Sequence, residues 1–357
     1  MASEATYDAL IRHLLGPLVA YYDDETISEI MINGPDDIFV DGRQGIIRTD
    51  HKMPDPAALR ALARVILQYS GKRLSPHDLS VEARMPNRSR VHIVQDPAAR
   101  AGLTIAIRQF ARTPPTLDDL VGSGSLSAPA VDWLRDQVLG HRNIIVSGGT
   151  GTGKTTLLGI LTRMMDPTER ILTIEDVAEL DLRMPHVVSL ETQMPDAKGR
   201  GGITVRELFR AALRLRPDRI IVGECRGGEA LDMIQAMNSG HAGSLSTVHA
   251  DDPRRAISRL ETLCLMSDVE IPLIAVRRQV VEAIDIVVQV RRVRGRRMVT
   301  EISEIRATDT EGTGYEARPV FSRADADAPL LPAAGYRTDY DKTAAPEGHG
   351  RNGPSPG

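Results

Sequence analysis

The sequence predicts an α/β protein with a mainly parallel sheet in its larger domain, preceded by a smaller α+β domain. Strand-like and helix-like segments alternate from about residue 125 to about residue 290, which is typical of a parallel sheet with helices on both faces. A glycine-rich loop lies between a strand pattern and a helix pattern in this region. The chain of 357 residues is long enough for two domains, and its first part mixes helices with strand pairs.

The smaller domain is predicted over residues 1–112. Helical spacing of apolar residues covers 9–22 and 57–69, and strand patterns cover 27–32, 38–40, 90–94 and 103–107. The segment Thr113-Pro114-Pro115-Thr116 is stiff and cannot continue a helix, so we place a linker over residues 113–124.

The larger domain is predicted over residues 125–323 and ends in a hairpin. Two strand patterns, 284–290 and 298–305, flank the turn Arg294-Gly295-Arg296. Residues 324–357 are rich in alanine, proline, glycine and aspartate, a composition typical of a disordered tail.

Composition and charge argue against several classes of protein. The formal net charge of −4 gives no general argument for nucleic-acid binding. Cys225 and Cys264 form no CxxC pair, so neither a zinc site nor a disulfide framework is indicated, and a reducing cytoplasm is consistent with them. The start of the chain lacks a signal-peptide pattern, and charged residues interrupt the apolar stretch 271–290. Any membrane association is therefore expected to be peripheral.

The glycine-rich loop matches the phosphate-loop pattern G-x-x-x-x-G-K-[ST] through Gly148, Gly153, Lys154 and Thr155. Its glycines let backbone N–H groups approach phosphate oxygens, Lys154 can reach the β- and γ-phosphates, and the Thr155 hydroxyl can ligate Mg²⁺. The predicted ligands are ATP and Mg²⁺. The residues predicted to bind the nucleotide are Gly148, Gly149, Thr150, Gly151, Thr152, Gly153, Lys154, Thr155 and Thr156.

Two further strand patterns end in acidic residues. The run 219–224 delivers Glu224 to the carboxyl edge of the sheet, where it can act as a general base towards water; the alternative is an acid that caps the next helix. Gly223 stands where many phosphate-loop enzymes have Asp. The run 171–176 delivers Glu175 and Asp176, which can support the Mg²⁺ shell or the catalytic water.

A histidine follows a third short strand, in the segment 240–250. A histidine at a strand end can hydrogen-bond a γ-phosphate, although an isolated histidine is more often structural. His241 stays in the structural class, and His249 becomes a candidate only through the resemblance described next.

The segments GGTGTGKTT, TIEDVAEL, LRPDRIIVGECRGGEA and GHAGSLSTVHADDP together resemble the secretion or traffic ATPase superfamily. Its four hallmarks are the Walker A loop, an Asp box, a Walker B strand ending in Gly-Glu, and a His box, and all occur here in that order. The resemblance extends to about residue 323 and implies a RecA-like P-loop ATPase domain, with His249 sensing the γ-phosphate.

The conjugal-transfer branch, the TrbB-type proteins, is the branch that the chain resembles most. ISEIMINGPDDIFVDGR and GECRGGEALDMIQAMNSGHAGSLSTVHAD carry this likeness, and the four-cysteine zinc insertion usual in type II assembly ATPases is absent. A pilus assembly or retraction motor remains an alternative.

The resemblance also implies a hexameric ring in which the N-terminal domain lends arginines to the phosphates. The matching positions are Arg90 and Arg108; the alternative is two surface arginines on strands. The family usually has Asp-Gly-Ser-Arg before the first arginine, whereas this chain has Asn87-Arg88-Ser89-Arg90. Asn87 can supply the tight turn.

The function implied is that of a hexameric ATPase that powers assembly of, or transfer through, a type IV secretion or conjugation apparatus. Its expected partners are other copies of the chain and inner-membrane components of the channel. Its expected location is the cytoplasm, peripheral at the inner membrane. Hydrolysis would let the N-terminal domain rotate about the proline linker.

Two other functions stay open. A DNA translocase needs aromatic residues that stack on bases, and aromatic residues make up 3% of the chain. The one basic run, 291–297, is more often a solvated hairpin, and it could also be a contact for acidic lipid or a partner. We expect no sequence-specific nucleic-acid binding. A non-catalytic, nucleotide-gated scaffold is disfavoured by Lys154, Thr155 and Glu224.

Overall fold

The computed structural model describes residues 3–42, 45–75, 77–109, 115–193, 195, 199–309, 314–325 and 328–334. The chain divides into two compact units, Met1–Pro114 and Pro115–Gly357. Residues 113 and 114, the first two of the predicted linker, lie outside the described ranges.

The first unit packs helices on one antiparallel sheet. Its elements are α1 (Glu4–Leu15), a 3₁₀ turn (Gly16–Leu18), α2 (Val19–Asp23), β1 (Glu29–Asn33), β2 (Asp37–Gly42), β3 (Gly45–Arg48), α3 (Pro56–Tyr69), β4 (Ser80–Arg84), β5 (Arg90–Val94) and β6 (Thr104–Arg108). The strand order is β3-β2-β1-β6-β5-β4. Alternate residues of the central strands, such as Ile30 and Ile32, are buried with Leu62 and Ile66 of α3. The predicted α+β character and the β5–β6 pair are confirmed.

Two strands of this unit were not predicted, and both lie at the edges of the sheet. In β3, Ile46 and Ile47 are exposed, and β4 buries only Ala83. An edge strand that buries little lacks the apolar alternation by which a strand is recognised.

The second unit is built on a larger sheet. Its strands are β7 (Ile144–Gly148), β8 (Ile171–Glu175), β9 (Val187–Glu191), β10 (Arg219–Val222), β11 (Leu245–Val248), β12 (Ile286–Val293), β13 (Arg296–Ala307), β14 (Tyr315–Ser322) and β15 (Leu331–Pro332). The order is β15-β14-β13-β12-β7-β11-β10-β8-β9. The strands from β12 to β9 are parallel to one another, and β13, β14 and β15 continue the sheet in antiparallel pairs.

Helices cover both faces of this sheet. They are α4 (Leu117–Gly122), α5 (Ala128–Leu139), α6 (Lys154–Thr162), α7 (Val205–Ala212), α8 (Glu229–Asn238), α9 (Pro253–Leu265) and α10 (Leu273–Ala283). Ile144 and Val146 of β7 are buried with α5 and α6, whereas Ile145 is buried with α7 to α10. The predicted doubly covered, mainly parallel sheet is confirmed.

The structure differs from the prediction at both ends of this unit. Residues 117–122, placed in the linker, form α4, and its Leu117, Leu120 and Val121 pack on the core. Residues 328–334, placed in the disordered tail, include the buried Leu330 and a strand that pairs with β14. Short apolar segments like these become ordered only because the sheet offers them a surface, which composition does not reveal.

Candidate active site

The glycine loop connects β7 to α6 at the carboxyl edge of the parallel strands. β7 is buried throughout and pairs with β11 on one side and β12 on the other. Lys154 Nζ donates to the carbonyl of Gly149 over 3.0 Å, and Thr152 Oγ1 donates to the same carbonyl over 2.8 Å. These two hydrogen bonds stabilise the loop and hold the Lys154 ammonium group beside Gly149.

Gly148 and Gly153 show why the loop needs glycine. A Cβ atom on Gly148 would lie 2.5 Å from the carbonyl oxygen of Val290 and 2.6 Å from Thr152 Oγ1. Gly153 precedes α6 with a φ of +93°, a conformation that L side chains rarely adopt. Thr155 and Thr156, in the first turn of α6, are half-buried, so neither side chain is sealed in the core.

The missing Walker B aspartate has a steric explanation. Gly223, directly after β10, lies against Glu175 at the end of the neighbouring β8: a Cβ atom on Gly223 would be 2.9 Å from Glu175 Cγ. A side chain here would displace Glu175 or the strand. Glycine therefore leaves room for the acidic residue of the adjacent strand.

Glu175 is a buried carboxyl group that anchors the loop after its own strand. Its side chain accepts hydrogen bonds from the backbone N–H groups of Glu179 (2.9 Å) and Leu180 (3.1 Å). Burial raises the pKa of Glu175 to about 7, although the two N–H donors oppose the shift. The structure thus shows a loop-anchoring role, and the predicted role towards Mg²⁺ stays a prediction.

Arg226 joins the two acidic segments. Its guanidinium donates to Glu224 Oε2 through Nη2 (2.6 Å) and Nε (2.8 Å), and it lies 3.4 Å from Asp176 Oδ2. The backbone N–H groups of Arg226 and Gly227 donate to Glu229 Oε1, which fixes the start of α8. The helix α8 itself has no side-chain cap, so Glu224 does not cap it, and Glu224 is only partly exposed beside Arg226.

His249 follows β11, the strand between β7 and β10, so it stands along the sheet edge between the glycine loop and Glu224. Its side chain is exposed. The next carbonyl, of Ala250, accepts hydrogen bonds from Ser147 Oγ and Gln289 Nε2 (both 3.2 Å), which ties this segment to β7 and β12. Parallel strands spaced about 4.8 Å apart place the glycine loop, His249 and Glu224 within about 10 Å along one edge.

Arg90 and Arg108 belong to the first unit. They are directly opposite each other in the β5–β6 ladder, and Arg90 forms an ion pair with Glu82 (2.7 Å). Arg88 occupies the position of the family's glycine with a φ of +69°, while Asn87 Oδ1 accepts a hydrogen bond from the Ser89 N–H group (3.0 Å). The turn therefore forms without glycine, and the two arginines are brought together.

Sequence reasoning missed the contribution of Arg226. The signal was available, because a cation two residues after the Walker B acid is close enough to pair with it. Cys225, between these residues, is buried, and burial raises the pKa of its thiol far above the ordinary value. It is a packing residue rather than a nucleophile.

Comparison with protein families identifies one that covers most of the chain. The family described as "Type II/IV secretion system protein" matches residues 13–320. A Mycobacterium tuberculosis protein named for conjugal transfer is 35% identical over 289 residues, covering 79% of this chain and 82% of that protein. The type IV secretion system protein VirB11 of Bartonella quintana is 30% identical over 330 residues, covering 82% of this chain and 92% of that protein.

A solved structure shares the fold. The Legionella pneumophila ATPase DotB matches with a TM-score of 0.58 and 22% sequence identity, covering 85% of this chain and 82% of that chain. In the described parts of the present chain, none of the helices combines the length and apolar composition needed to span a bilayer.

Proposed function

Because this chain belongs to the type II/IV secretion system protein family, we propose that it is an ATP hydrolase that powers a type IV secretion or conjugal transfer apparatus. The observation that carries the proposal is the shared sheet edge: Glu175 ends a parallel strand there, and the glycine loop, Gly223-Glu224 and His249 follow parallel strands. A phosphate loop beside carboxylates at the carboxyl edge of such a sheet is suited to binding and hydrolysing a nucleoside triphosphate.

In the proposed reaction each residue has a distinct task. Lys154 binds the β- and γ-phosphates, and the backbone N–H groups of the loop offset their charge. Glu224 accepts a proton from the attacking water. His249 contacts the γ-phosphate and reports its loss. Since Glu224 is paired with Arg226, turnover requires that ion pair to open.

The side chains at the loop fit a magnesium ion. Mg²⁺ prefers oxygen ligands, and Thr155 supplies a hydroxyl and Asp176 a partly exposed carboxylate. Within the described ranges no group of three or more His, Cys, Asp or Glu side chains could hold a metal, so phosphate oxygens and water would complete the shell. The ion's contribution would be to offset charge on the β- and γ-phosphates.

We further propose that the protein works as a hexamer at the cytoplasmic face of the inner membrane, with channel components as partners. Arg90 and Arg108 would then act on bound ATP from the first unit. The names of the relatives from Mycobacterium tuberculosis and Bartonella quintana support the secretion and conjugation setting. The adjacency of the two arginines on one ladder supports their joint action.

The experiment is steady-state phosphate release from ATP, with native mass measured on the same samples. We expect the wild type to turn over as a hexamer. Lys154→Ala should abolish nucleotide binding, and Glu224→Gln should bind ATP but turn over about 100-fold more slowly or worse, because it lacks the base. Arg108→Ala should lower kcat with little change in mass.

Glu282→Gln is the matched control, since it removes one carboxylate from an exposed helical ion pair with Arg278. It should keep wild-type turnover. A wild type that binds ATP without turnover would replace this proposal with the nucleotide-gated scaffold. Strict dependence of turnover on DNA would replace it with a translocase. Copurification with the inner-membrane fraction of cells that express the apparatus tests the location.

A further inference from the structure

We propose that Arg297, on the β12–β13 hairpin, is a nucleotide-binding residue that contacts the phosphates held by the glycine loop. This rests on the proposed function and assigns a task to the basic run 291–297. The ligand chemistry is the phosphate chain of a nucleoside di- or triphosphate.

The topology of the sheet places this hairpin beside the loop. β12 runs parallel to β7, and the two strands remain paired up to Val290 and Gly148. β7 then ends and the glycine loop begins, whereas β12 continues through Arg291–Val293 before the chain turns back into β13. The basic residues therefore extend past the sheet edge at the level of the loop.

Arg297 is packed against the last glycine of the loop. A Cβ atom built on Gly153 would lie 3.3 Å from Arg297 Cδ and 4.0 Å from Arg297 Cβ. Gly153 directly precedes Lys154 and α6. The aliphatic part of Arg297 thus lies against the last glycine of the loop, and its guanidinium, which is joined to Cδ, is held near the residue before Lys154.

The backbone that carries Arg297 is held from both sides. Its carbonyl accepts a hydrogen bond from Ser125 Oγ (3.0 Å), and the Val299 N–H group donates to the Ser125 carbonyl (3.2 Å). Arg323 binds the same segment, donating to the carbonyls of Val299 (2.7 Å) and Ser125 (3.0 Å). A side chain on so well-fixed a backbone is preorganised for a ligand.

Neighbouring arginines of the hairpin are used within the fold. Arg291 donates to the Asp251 carbonyl over 2.5 Å, and Arg296 donates to the Ser123 carbonyl. Arg294 forms the turn with a φ of +48°. Arg297 contacts the glycine loop, at Gly153. An arginine beside a phosphate loop can donate in pairs to phosphate oxygens, which a lysine cannot reproduce.

The test is calorimetric titration of the full chain with ADP and, separately, with adenosine. Arg297→Gln should raise the Kd for ADP about tenfold, the loss expected for a charge-assisted hydrogen bond, and leave adenosine binding unchanged. Arg297→Lys should recover part of the loss. Arg294→Asn is the matched control: it removes one charge from the same hairpin, and Asn tolerates the left-handed turn. It should change the Kd for ADP less than twofold.

Each contrary outcome has a definite meaning. If Lys154→Ala abolishes ADP binding and Arg297→Gln binds like the wild type, the inference about Arg297 is overturned while the proposed function stands. If Lys154→Ala also binds normally, the proposed function fails. If Arg297→Gln and Arg294→Asn weaken ADP binding equally, a specific contact between Arg297 and the phosphates is overturned. A further contrary outcome is that Arg297→Gln leaves the Kd for ADP unchanged but weakens flotation on phosphatidylglycerol vesicles or binding of a single-stranded oligonucleotide. That result overturns the inference too, because the hairpin would then contact a membrane or DNA.

Discussion

Glu175 shows how strongly the chemistry of a single side chain depends on its neighbours. Its position at the end of a strand, next to Asp176, predicts a carboxylate that supports the metal. The structure shows that this carboxyl group is 4% exposed and lies between the Gly223 backbone and the N–H groups of Glu179 and Leu180. The glycine comes from the neighbouring strand's end, and the two donors come from the loop that directly follows Glu175. Burial and hydrogen bonding, which the order of residues does not reveal, decide its ionisation.

Glu175 should make stability depend on pH in an unusual direction for an acid. Its folded pKa of about 7 exceeds the ordinary 4.5, so the folded protein holds this proton more tightly than the unfolded chain. The resulting stabilisation declines as the pH rises from about 4.5 to about 7. Because Gln stays neutral, the free energy of unfolding of Glu175→Gln relative to the wild type should rise between pH 5 and pH 8, by at most roughly 3 kcal/mol.

Urea unfolding at several pH values measures this difference. Glu282→Gln is the control for losing one carboxylate from the protein surface. A difference between Glu175→Gln and the wild type that stays constant with pH would mean that Glu175 is already ionised in the fold. That result would favour its predicted role as a metal-supporting carboxylate.

At the scale of elements, the site depends on hydrogen bonds at the amino edge of the parallel strands, opposite the glycine loop. Asn143, just before β7, accepts hydrogen bonds from the N–H groups of Gly243 (2.8 Å) and Ser244 (3.1 Å), and its amide donates to the Ala283 carbonyl (2.7 Å). It thereby joins the starts of β7 and β11 to the end of α10. The register of β7 with its neighbours sets where the glycine loop emerges.

Asn143→Ala should therefore lower stability by about 3 kcal/mol, since it leaves two buried N–H groups and one carbonyl without this partner. Asn238→Ala, which removes one exposed bond to the Gln279 carbonyl, should cost much less. Thermal unfolding checks the difference. If the two substitutions lower the melting temperature equally, the Asn143 hydrogen bonds do not stabilise the pairing of the strands.

Elements were predictable to the extent that their apolar pattern is local. The helices around residues 57–69 and the hairpin closing at Arg294-Gly295-Arg296 follow from spacing and turn chemistry. Helix α4 and strand β15 do not, because each is too short to bury a face alone and is ordered by contact with the rest of the unit.

For the whole molecule, the contacts made by residues 328–334 have a measurable consequence. Arg323 donates to the Ala328 carbonyl (2.6 Å), Leu330 is 1% exposed, and the Ala333 N–H group donates to Val320. A chain truncated after Arg323 loses these contacts, and a chain truncated after Ala334 keeps them. The first should unfold several degrees below the second, because it exposes a buried leucine and one edge of the sheet.

Calorimetric Tm values of the two truncated chains make the comparison. Similar values would show that residues 324–334 contribute nothing to the fold, as their composition suggests. ATP turnover by the chain truncated after Ala334 shows whether that chain also keeps its activity.

The sequence by itself determined the class of fold, the phosphate loop and the acids and histidine that follow the parallel strands, because these depend on periodicity and on spacing within single segments. It also determined the family, through four motifs in order. Only the tertiary structure decided that Gly223 leaves room for Glu175, that Arg226 lies beside Asp176, and that Arg297 lies on Gly153. The physical reason is that these contacts join segments up to about 140 residues apart, and steric fit, burial and charge pairing arise only when the sheet brings them together.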